Sequence, residues 1–197
     1  MLELVTQCSI VPLSPEQPII DFDCGNDDLN DFFNNEAIHY QNQLLGQTYF
    51  FRHNEMHKIV CAFSLAPDGL KTYNLPGSRR KKVKEYIPWE KSLQSYPAFL
   101  IGRLGVASEF AKQGVGSQLI EFIKHICFNQ YKNLCRFLLV DAYNNPDVLN
   151  FYWRNDFMPV FFTEKQEREY YNRPDTEPLQ TRFLFYDMIH WKNRSGL

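Results

Sequence analysis

The stretch that decides the fold runs from Leu104 to Ile126 and reads LGVASEFAKQGVGSQLIEFIKHI. The apolar residues Phe99–Ile101 lead into it, and the apolar pattern continues to Val106, which predicts a buried strand. The polar, glycine-containing segment Lys112–Ser117 then ends the strand pattern. Beyond it the apolar residues recur every four positions, which predicts an amphipathic helix through Val115, Leu119, Ile123 and Cys127.

Two glycines, Gly114 and Gly116, stand where this helix begins. Glycine lets the backbone come close to a ligand, and the first turn of a helix leaves several N–H groups without partners in the helix. Those donors and the helix dipole favour a phosphate group. The segment therefore predicts a binding site for a phosphorylated cofactor, with a plain tight turn as the structural alternative.

The composition excludes several classes of protein. The 197 residues carry a formal net charge of −2, which argues against a protein that coats nucleic acid by bulk electrostatics. No apolar run approaches the roughly 20 residues of a membrane-spanning helix, and the N-terminus lacks the basic start of a secretory signal. The five cysteines form no Cys-x-x-Cys pair, which predicts reduced thiols and no metal site. We therefore expect a cytoplasmic protein without a membrane partner.

The patterns along the chain follow the order strand, helix, two strands, insertion, strand, glycine loop, helix, strand, helix and two strands. This order predicts an α/β (α+β) protein whose mixed sheet carries helices on both faces. Asn26 or Asp27 is the expected N-cap of the first helix. Residues 163–179 are polar and predict a loop.

A segment punctuated by prolines, at about residues 67–97, predicts a long surface insertion between two strands. It contains the basic run Arg79–Lys84, which reads RRKKVK. The run is either a solvated surface or a contact for phosphate or RNA. Arg79 and Arg80 are therefore candidate substrate contacts.

The strand, the glycine loop, the helix, the next strand and then Asn145 and Tyr152 together resemble the GCN5-related N-acetyltransferase (GNAT) family. The cofactor loop of that family reads Arg/Gln-x-x-Gly-x-Gly/Ala, which Gly114 and Gly116 match, whereas Ala111 replaces its first residue. The later motif of the family has an asparagine seven residues before a tyrosine, as this chain does. No dinucleotide-binding or P-loop motif competes with this resemblance.

Further residues resemble the toxin subgroup of that family, which acetylates aminoacyl-tRNA. They are Asp21–Gly25, the helix ending in Tyr40-Gln41, Thr48-Tyr49 and Gly102–Val106. The subgroup implies an aminoacyl-tRNA substrate and an antitoxin protein as a partner, and a homodimer is a further expectation. A small amine or a protein amine is the alternative acceptor within the family.

The resemblance implies one GNAT-like domain over residues 1–197, with a mostly antiparallel central sheet and acetyl-CoA as the cofactor. Backbone N–H groups of the loop would hold the pyrophosphate, and Lys112 or Gln113 would supply the side-chain interaction that Ala111 cannot make. Backbone groups near Leu104 to Val106 would bind the thioester oxygen and the pantetheine amides. The implied cofactor-binding residues are Leu104, Gly105, Val106, Lys112, Gln113, Gly114, Val115, Gly116, Ser117 and Asn145.

The resemblance also implies that Tyr152 protonates the departing thiolate, which a phenol with a pKa near ~10 can do. Each of these roles has a structural alternative. Tyr152 can be a core tyrosine, Asn145 can be a helix N-cap next to Pro146, and Leu104 and Val106 can be simple core residues.

The strand before the loop contains no carboxylate that could act as a general base. An α-amine, with a pKa of about 7.7–8.0, needs far less help to become neutral than a lysine amine, with a pKa of about 10.4. The sequence therefore favours an acceptor of low pKa with water as the proton carrier. Asp141 is the alternative base, or else a turn carboxylate. Arg103 is either a salt-bridged structural residue or a substrate contact.

A non-catalytic domain that binds acyl-CoA or a protein is the alternative from a different class. Two departures from the family pattern favour it, Ala111 in the loop and Asp156 where the family usually has glycine. Tyr152 discriminates between the two, because a domain that only binds acyl-CoA has no use for a phenol at that position.

Overall fold

A computed structural model describes residues 2–73, 75–88, 93–131, 134–174, 176–194 and 196. The strands of this part of the chain are Cys8–Pro12 (β1), Gln47–His53 (β2), Ile59–Lys71 (β3), Ser95–Val106 (β4), Phe137–Tyr143 (β5), Met158–Pro159 (β6) and Thr181–Asp187 (β7). They form one sheet in the order β1-β2-β3-β4-β5-β7-β6.

Most of the recorded strand pairs are antiparallel: β1 with β2, β2 with β3, β5 with β7 and β6 with β7. β4 and β5 are parallel, with Ala98, Phe99 and Leu100 opposite residues 137–139. The mixed, mostly antiparallel α+β fold expected from the sequence is confirmed.

The helices are Leu4–Gln7 (α1), Asp27–Asp31 (α2), Ala37–Asn42 (α3), Gly77–Val83 (α4), Val115–Asn129 (α5), Pro146–Arg154 (α6), Glu164–Tyr170 (α7) and Met188–Arg194 (α8). A π-helical turn, Phe32–Glu36, joins α2 to α3. None of the helices in the described ranges has the length and apolar character to cross a membrane.

The chain divides into two compact units. The first comprises Met1–Ala66 and Ile101–Ile123. Asn26 caps α2 there as predicted, because its side chain accepts a 3.0 Å hydrogen bond from the N–H of Leu29. The core of this unit lies between the β-strands and α5, where the rings of Phe51 and Phe122 meet edge to face at 4.9 Å.

The second unit comprises Pro67–Leu100 and Lys124–Leu197. Its core collects apolar side chains from β3, β4, β5 and β7, from α4 and from the segment after β6. These are Leu70, Leu75, Val83, Tyr96, Ala98, Phe137, Leu139, Val160, Phe161 and Phe185.

The prediction of a loop over residues 163–179 is wrong at α7. Thr163 caps this helix by accepting a 3.3 Å hydrogen bond from the N–H of Gln166. Glu167 is buried, which is possible because its carboxylate pairs with Arg182 at 2.6 Å. A polar sequence therefore forms a helix here, and the buried side chain of that helix is held in an ion pair.

The segment 67–97 has more regular structure than a surface insertion would need. β3 continues to Lys71 and β4 begins at Ser95, so both ends are strand, and α4 lies between them. Residues 74 and 89–92 of this segment lie outside the described residues.

Candidate active site

The connection between β4 and α5 is the loop in which the sequence predicted a phosphate site. Lys112 and Gly114 both adopt left-handed backbone angles, with φ of 59° and 82°. Such residues within a turn form a concave row of N–H groups that suits an anion. α5 begins immediately afterwards at Val115, whose side chain is buried, and its first N–H groups add to the row.

The loop offers the space and the charge that a pyrophosphate needs. A Cβ added at Gly114 would meet nothing within 4 Å, so the space beside it is open. The first turn of α5 carries no acidic residue. The side-chain amide of Gln113 donates to the carbonyl oxygen of Glu109 at 3.1 Å, whereas Lys112 is exposed. Lys112 is therefore the better placed of the two to supply the side-chain interaction that Ala111 cannot make.

Gly105 of β4 is closely packed against its neighbours. A Cβ at this position would lie 3.1 Å from a ring carbon of Phe22 and 3.3 Å from the Sγ of Cys24. Asn34 fixes that neighbouring segment, since its side chain accepts from the N–H of Phe22 at 3.0 Å and donates to its carbonyl oxygen at 2.8 Å. Asn30 accepts from the N–H of Cys24 at 2.8 Å. The segment Asp21–Gly25, noted in the sequence through resemblance alone, thus lies fixed beside β4.

Leu104 and Val106, on either side of Gly105, are half-buried. A role for their backbone groups in cofactor binding stays a prediction, and so does the role of the rest of the loop.

Arg103 of β4 lies against the π-helical turn. Its Cζ is 5.1 Å from the ring centroid of Phe32, and Nη1 donates to the carbonyl oxygen of Gly102 at 3.0 Å. Its Nε is buried without a hydrogen-bond partner in the described part of the chain, where no ion pair of Arg103 occurs either. The salt-bridged interpretation of Arg103 therefore has no support among these residues. π-helical turns are frequent at functional sites.

Tyr152 is buried on α6, with 6% of its surface exposed. Its ring meets Phe151 and Phe157 edge to face, at 5.0 and 5.4 Å. Burial raises the pKa of the phenol above its ordinary value, so the hydroxyl stays protonated at neutral pH. This hydroxyl is not among the buried side-chain atoms that lack a hydrogen-bond partner in the described part of the chain. The aromatic contacts of the ring are what fix the phenol on α6.

Asn145 is the N-cap of α6, which is the structural role that the sequence analysis gave as the alternative to cofactor binding. Its Oδ1 accepts a 2.9 Å hydrogen bond from the N–H of Val148, and Pro146 occupies the first helical position. The residue is exposed, so its Nδ2 can still donate to a ligand. Capping and cofactor binding use different atoms of this side chain.

The structure corrects the interpretation of Arg79 as a surface cation. Only 4% of its surface is exposed. Its Nε donates to the carbonyl oxygen of Val160 at 2.8 Å and its Nη2 donates to that of Pro159, while Cζ lies 4.2 Å from the ring centroid of Phe162. The guanidinium therefore holds the second unit together and has no free face for RNA.

Arg80 is exposed, but its guanidinium donates to the carbonyl oxygens of Thr72, Tyr73 and Leu75. The lysines of the basic run behave differently. Lys81 is exposed, and Lys82 is exposed and paired with Glu85 at 2.5 Å. The cationic surface of this run is thus made by its lysines.

Asp141, the alternative base, lies near the end of β5. Desolvation, reinforced by the charges of Glu167 and Asp68, raises its pKa to about 6. The residue nevertheless keeps contact with solvent. With its pKa raised in this way, the carboxylate of Asp141 is a stronger base than an ordinary aspartate.

Two features of the site were missed in the sequence. The π-helical turn under Arg103 has no sequence signal that we can identify. The second feature is Lys124, which is fully buried and donates a hydrogen bond to the end of α6. Its position in the sequence was a usable signal, because it falls four residues after Ile120 on the apolar stripe of α5.

Comparison with known proteins agrees with this geometry. Residues 82–157 match the model of the acetyltransferase (GNAT) family. A crystal structure of a tyrosine-to-phenylalanine mutant of KacT is 20% identical, with a TM-score of 0.71 over 96% of this chain and 99% of that chain. AtaT complexed with acetyl-methionyl-tRNAfMet is 18% identical, with a TM-score of 0.71 over 95% of this chain and 99% of that chain.

A third similar structure, AtaTR bound with acetyl-CoA, is 16% identical and has a TM-score of 0.70 over 96% of this chain and 98% of that chain. These likenesses concern the fold. Residues 82–157 therefore match the GNAT acetyltransferase model, and the fold of the chain is similar to that of KacT and AtaT.

Proposed function

We propose that this protein transfers an acetyl group from acetyl-CoA to a primary amine, and that the amine is the α-amine of an aminoacyl-tRNA. One observation carries the catalytic part of the proposal: Tyr152 is a buried phenol whose raised pKa keeps it protonated and able to donate. A domain that only binds acyl-CoA has no use for a phenol at this position.

The loop between β4 and α5 would hold the cofactor. Its left-handed residues Lys112 and Gly114 present N–H groups to the pyrophosphate, together with those of Val115, Gly116 and Ser117. Lys112 adds a positive charge at the place where Ala111 offers none. When bound, acetyl-CoA supplies an acetyl thioester that an amine can attack. Asn145 would bond the pantetheine through its Nδ2.

Tyr152 would hold the proton that the thiolate needs as it leaves. Its raised pKa makes it a weak acid in the resting protein. Burial raises the basicity of a departing thiolate as well, so a thiolate formed beside the phenol in the same buried site would take its proton. Among the similar structures, an AtaT mutant with phenylalanine in place of a tyrosine is bound to the C-terminus of the antitoxin AtaR and acetyl-CoA. In that protein, loss of a phenol is compatible with cofactor binding.

The acceptor follows from the absence of a base. β4 reads SYPAFLIGRLGV and has no carboxylate, so in this proposal the amine loses its proton to water, with Asp141 as the alternative base. An α-amine satisfies this requirement at neutral pH far better than a lysine does. The similarity to AtaT complexed with acetyl-methionyl-tRNAfMet supports the same acceptor class. Arg103, with its unpaired Nε, is the candidate contact to the acceptor.

The partners follow from the same resemblance. We propose an antitoxin protein as a binding partner, since similar structures include AtaT bound to the C-terminus of AtaR and a KacTA–DNA complex. A homodimer, one catalytic domain over residues 1–197 and a cytoplasmic location complete the proposal. The last of these rests on five free cysteines, a composition that suits a reducing compartment.

A small amine or a protein amine is the second candidate acceptor. It is favoured by the burial of Arg79 and the engagement of Arg80, which leave less cationic surface for RNA than the basic run predicts. Measuring acetyl-CoA turnover with aminoacyl-tRNAs, free amines and lysine peptides as acceptors distinguishes the two candidate acceptor classes. We expect CoA release with aminoacyl-tRNA, and turnover confined to lysine peptides would reject the proposed acceptor.

A further inference from the structure

Lys124 lies in α5 with none of its surface exposed. Taking an ammonium group out of water is costly unless hydrogen bonds and charges compensate for the missing hydration. A leucine or methionine would fill the same position without this cost. The presence of a charge here therefore calls for a physical reason.

The ammonium is bonded to the C-terminal end of α6. Its Nζ donates a 3.0 Å hydrogen bond to the carbonyl oxygen of Asn155, the residue that caps this helix. It also lies 4.2 Å from the ring centroid of Tyr186. Carbonyl groups at a helix C-terminus carry negative partial charge and the face of an aromatic ring attracts cations, so both contacts stabilise the buried charge.

The same end of α6 determines where Tyr152 sits. The N–H groups of Asn155 and Phe157 both donate to the carbonyl oxygen of Tyr152, at 3.1 and 3.0 Å. The ring of Phe157 lies 5.4 Å from that of Tyr152 and 5.7 Å from that of Tyr186. Lys124 is therefore connected to Tyr152 by two routes, through the backbone of Asn155 and through the aromatic rings.

We propose that Lys124 is a positioning residue for acetyl transfer, whose ammonium fixes the end of α6 and thereby the phenol of Tyr152. The proposal rests on the role of Tyr152 in the proposed function. Displacing a reacting group by about 1 Å can lower a rate by about 10²-fold, so a contact that prevents α6 from shifting has catalytic value. Lys124 acts through Tyr152 and contacts neither substrate.

The test is a double-mutant cycle of Lys124→Met and Tyr152→Phe in the full chain, with kcat and the KM for acetyl-CoA as readouts. Methionine keeps most of the length of the side chain and removes the charge. We expect Lys124→Met to lower kcat by about 10-fold, to leave that KM within about twofold, and to lower kcat by less than about twofold when residue 152 is already phenylalanine. Lys124→Arg keeps a cation and should recover part of the kcat.

Leu119→Ala is the matched control, because Leu119 is equally buried in the same helix. It should lower the melting temperature by several degrees without any coupling to Tyr152. If Lys124→Met does not fold, Lys124→Gln keeps a donor for the Asn155 carbonyl and enters the same cycle.

Equal decreases of kcat in both Tyr152 backgrounds, or full kcat in Lys124→Met, would overturn this proposal alone. Full turnover in Tyr152→Phe by itself would instead overturn the role of Tyr152 and this proposal with it.

Discussion

The guanidinium of Arg79 donates a 2.8 Å hydrogen bond to the carbonyl oxygen of Val160, inside the second compact unit. Replacing Arg79 with methionine would leave this buried carbonyl and that of Pro159 unsatisfied, at a cost of about 3 kcal/mol of unfolding free energy. Urea unfolding measures this decrease. The matched control is Lys81→Gln, an exposed site two positions along the run, which should stay within about 0.5 kcal/mol of the parent. Equal stabilities of the two variants would contradict the burial of Arg79.

RNA binding, in contrast, should depend on the lysines of the run. Replacing Lys81 and Lys82 with glutamine should weaken binding of aminoacyl-tRNA, and each phosphate contact removed should reduce the slope of log affinity against log salt by roughly 1. Acetylation of a small free amine should not change. Titrations at several salt concentrations measure the slope, and an unchanged slope would show that tRNA binds elsewhere.

Cofactor affinity should depend on the first turn of α5. Gly116→Asp places a negative charge among the N–H groups that we assign to the pyrophosphate, so binding of CoA should weaken by at least about tenfold. Gly116→Ala is the control, because it keeps the N–H group and adds no charge. Calorimetric titration compares the two, and equal affinities would mean that the pyrophosphate binds at another place.

Tyr152→Phe should lower turnover by about 10²-fold while acetyl-CoA still binds. The pH dependence follows from the raised pKa of the phenol. A raised pKa keeps the acid protonated to higher pH, so the rate of the parent should rise as the amine loses its proton and should not fall through Tyr152 between about pH 9 and about pH 11, where an ordinary phenol titrates. A fall in that range, absent in Tyr152→Phe, would show an acid of ordinary pKa.

Asp141 should affect stability in a pH-dependent way. Its pKa is raised to about 6 in the folded protein, so the folded state binds a proton more tightly than the unfolded state does. Stability should therefore fall as the pH rises from the unfolded pKa of about 3.9 to about 6, and Asp141→Asn should be more stabilising at about pH 8 than at about pH 4. Solvent contact makes the effect small. Thermal melts of both proteins at the two pH values measure the difference, and a greater benefit at low pH would contradict the raised pKa.

The strands, the glycine loop and α5 are predictable because their signals are local: apolar periodicity, two glycines and a capping asparagine at residue 26. The same holds for α6, where Asn145 and Pro146 mark the helix start. The resemblance to the GNAT family predicts that these segments form one mixed, mostly antiparallel sheet, and the observed strand order confirms this fold class.

Other features depend on tertiary contacts that no local pattern records. Arg79 belongs to a basic run by sequence, yet it is buried because distant carbonyl oxygens around Pro159 satisfy it. α7 has the polar sequence of a loop and is nevertheless a helix, because the ion pair between Glu167 and Arg182 allows a polar residue to face the core. Lys124 interrupts an apolar stripe, and the carbonyl oxygen of Asn155 and the ring of Tyr186, both distant in sequence, help to stabilise its charge.

The most direct test of the proposed activity is mass spectrometry of the amino acid released from an aminoacyl-tRNA after incubation with acetyl-CoA and the purified protein. We predict that the amino acid carries one acetyl group on its α-nitrogen with the parent protein and that Tyr152→Phe yields about 10²-fold less of this product in the same time. An unmodified amino acid, together with acetylated lysine in a peptide control, would contradict the proposed activity.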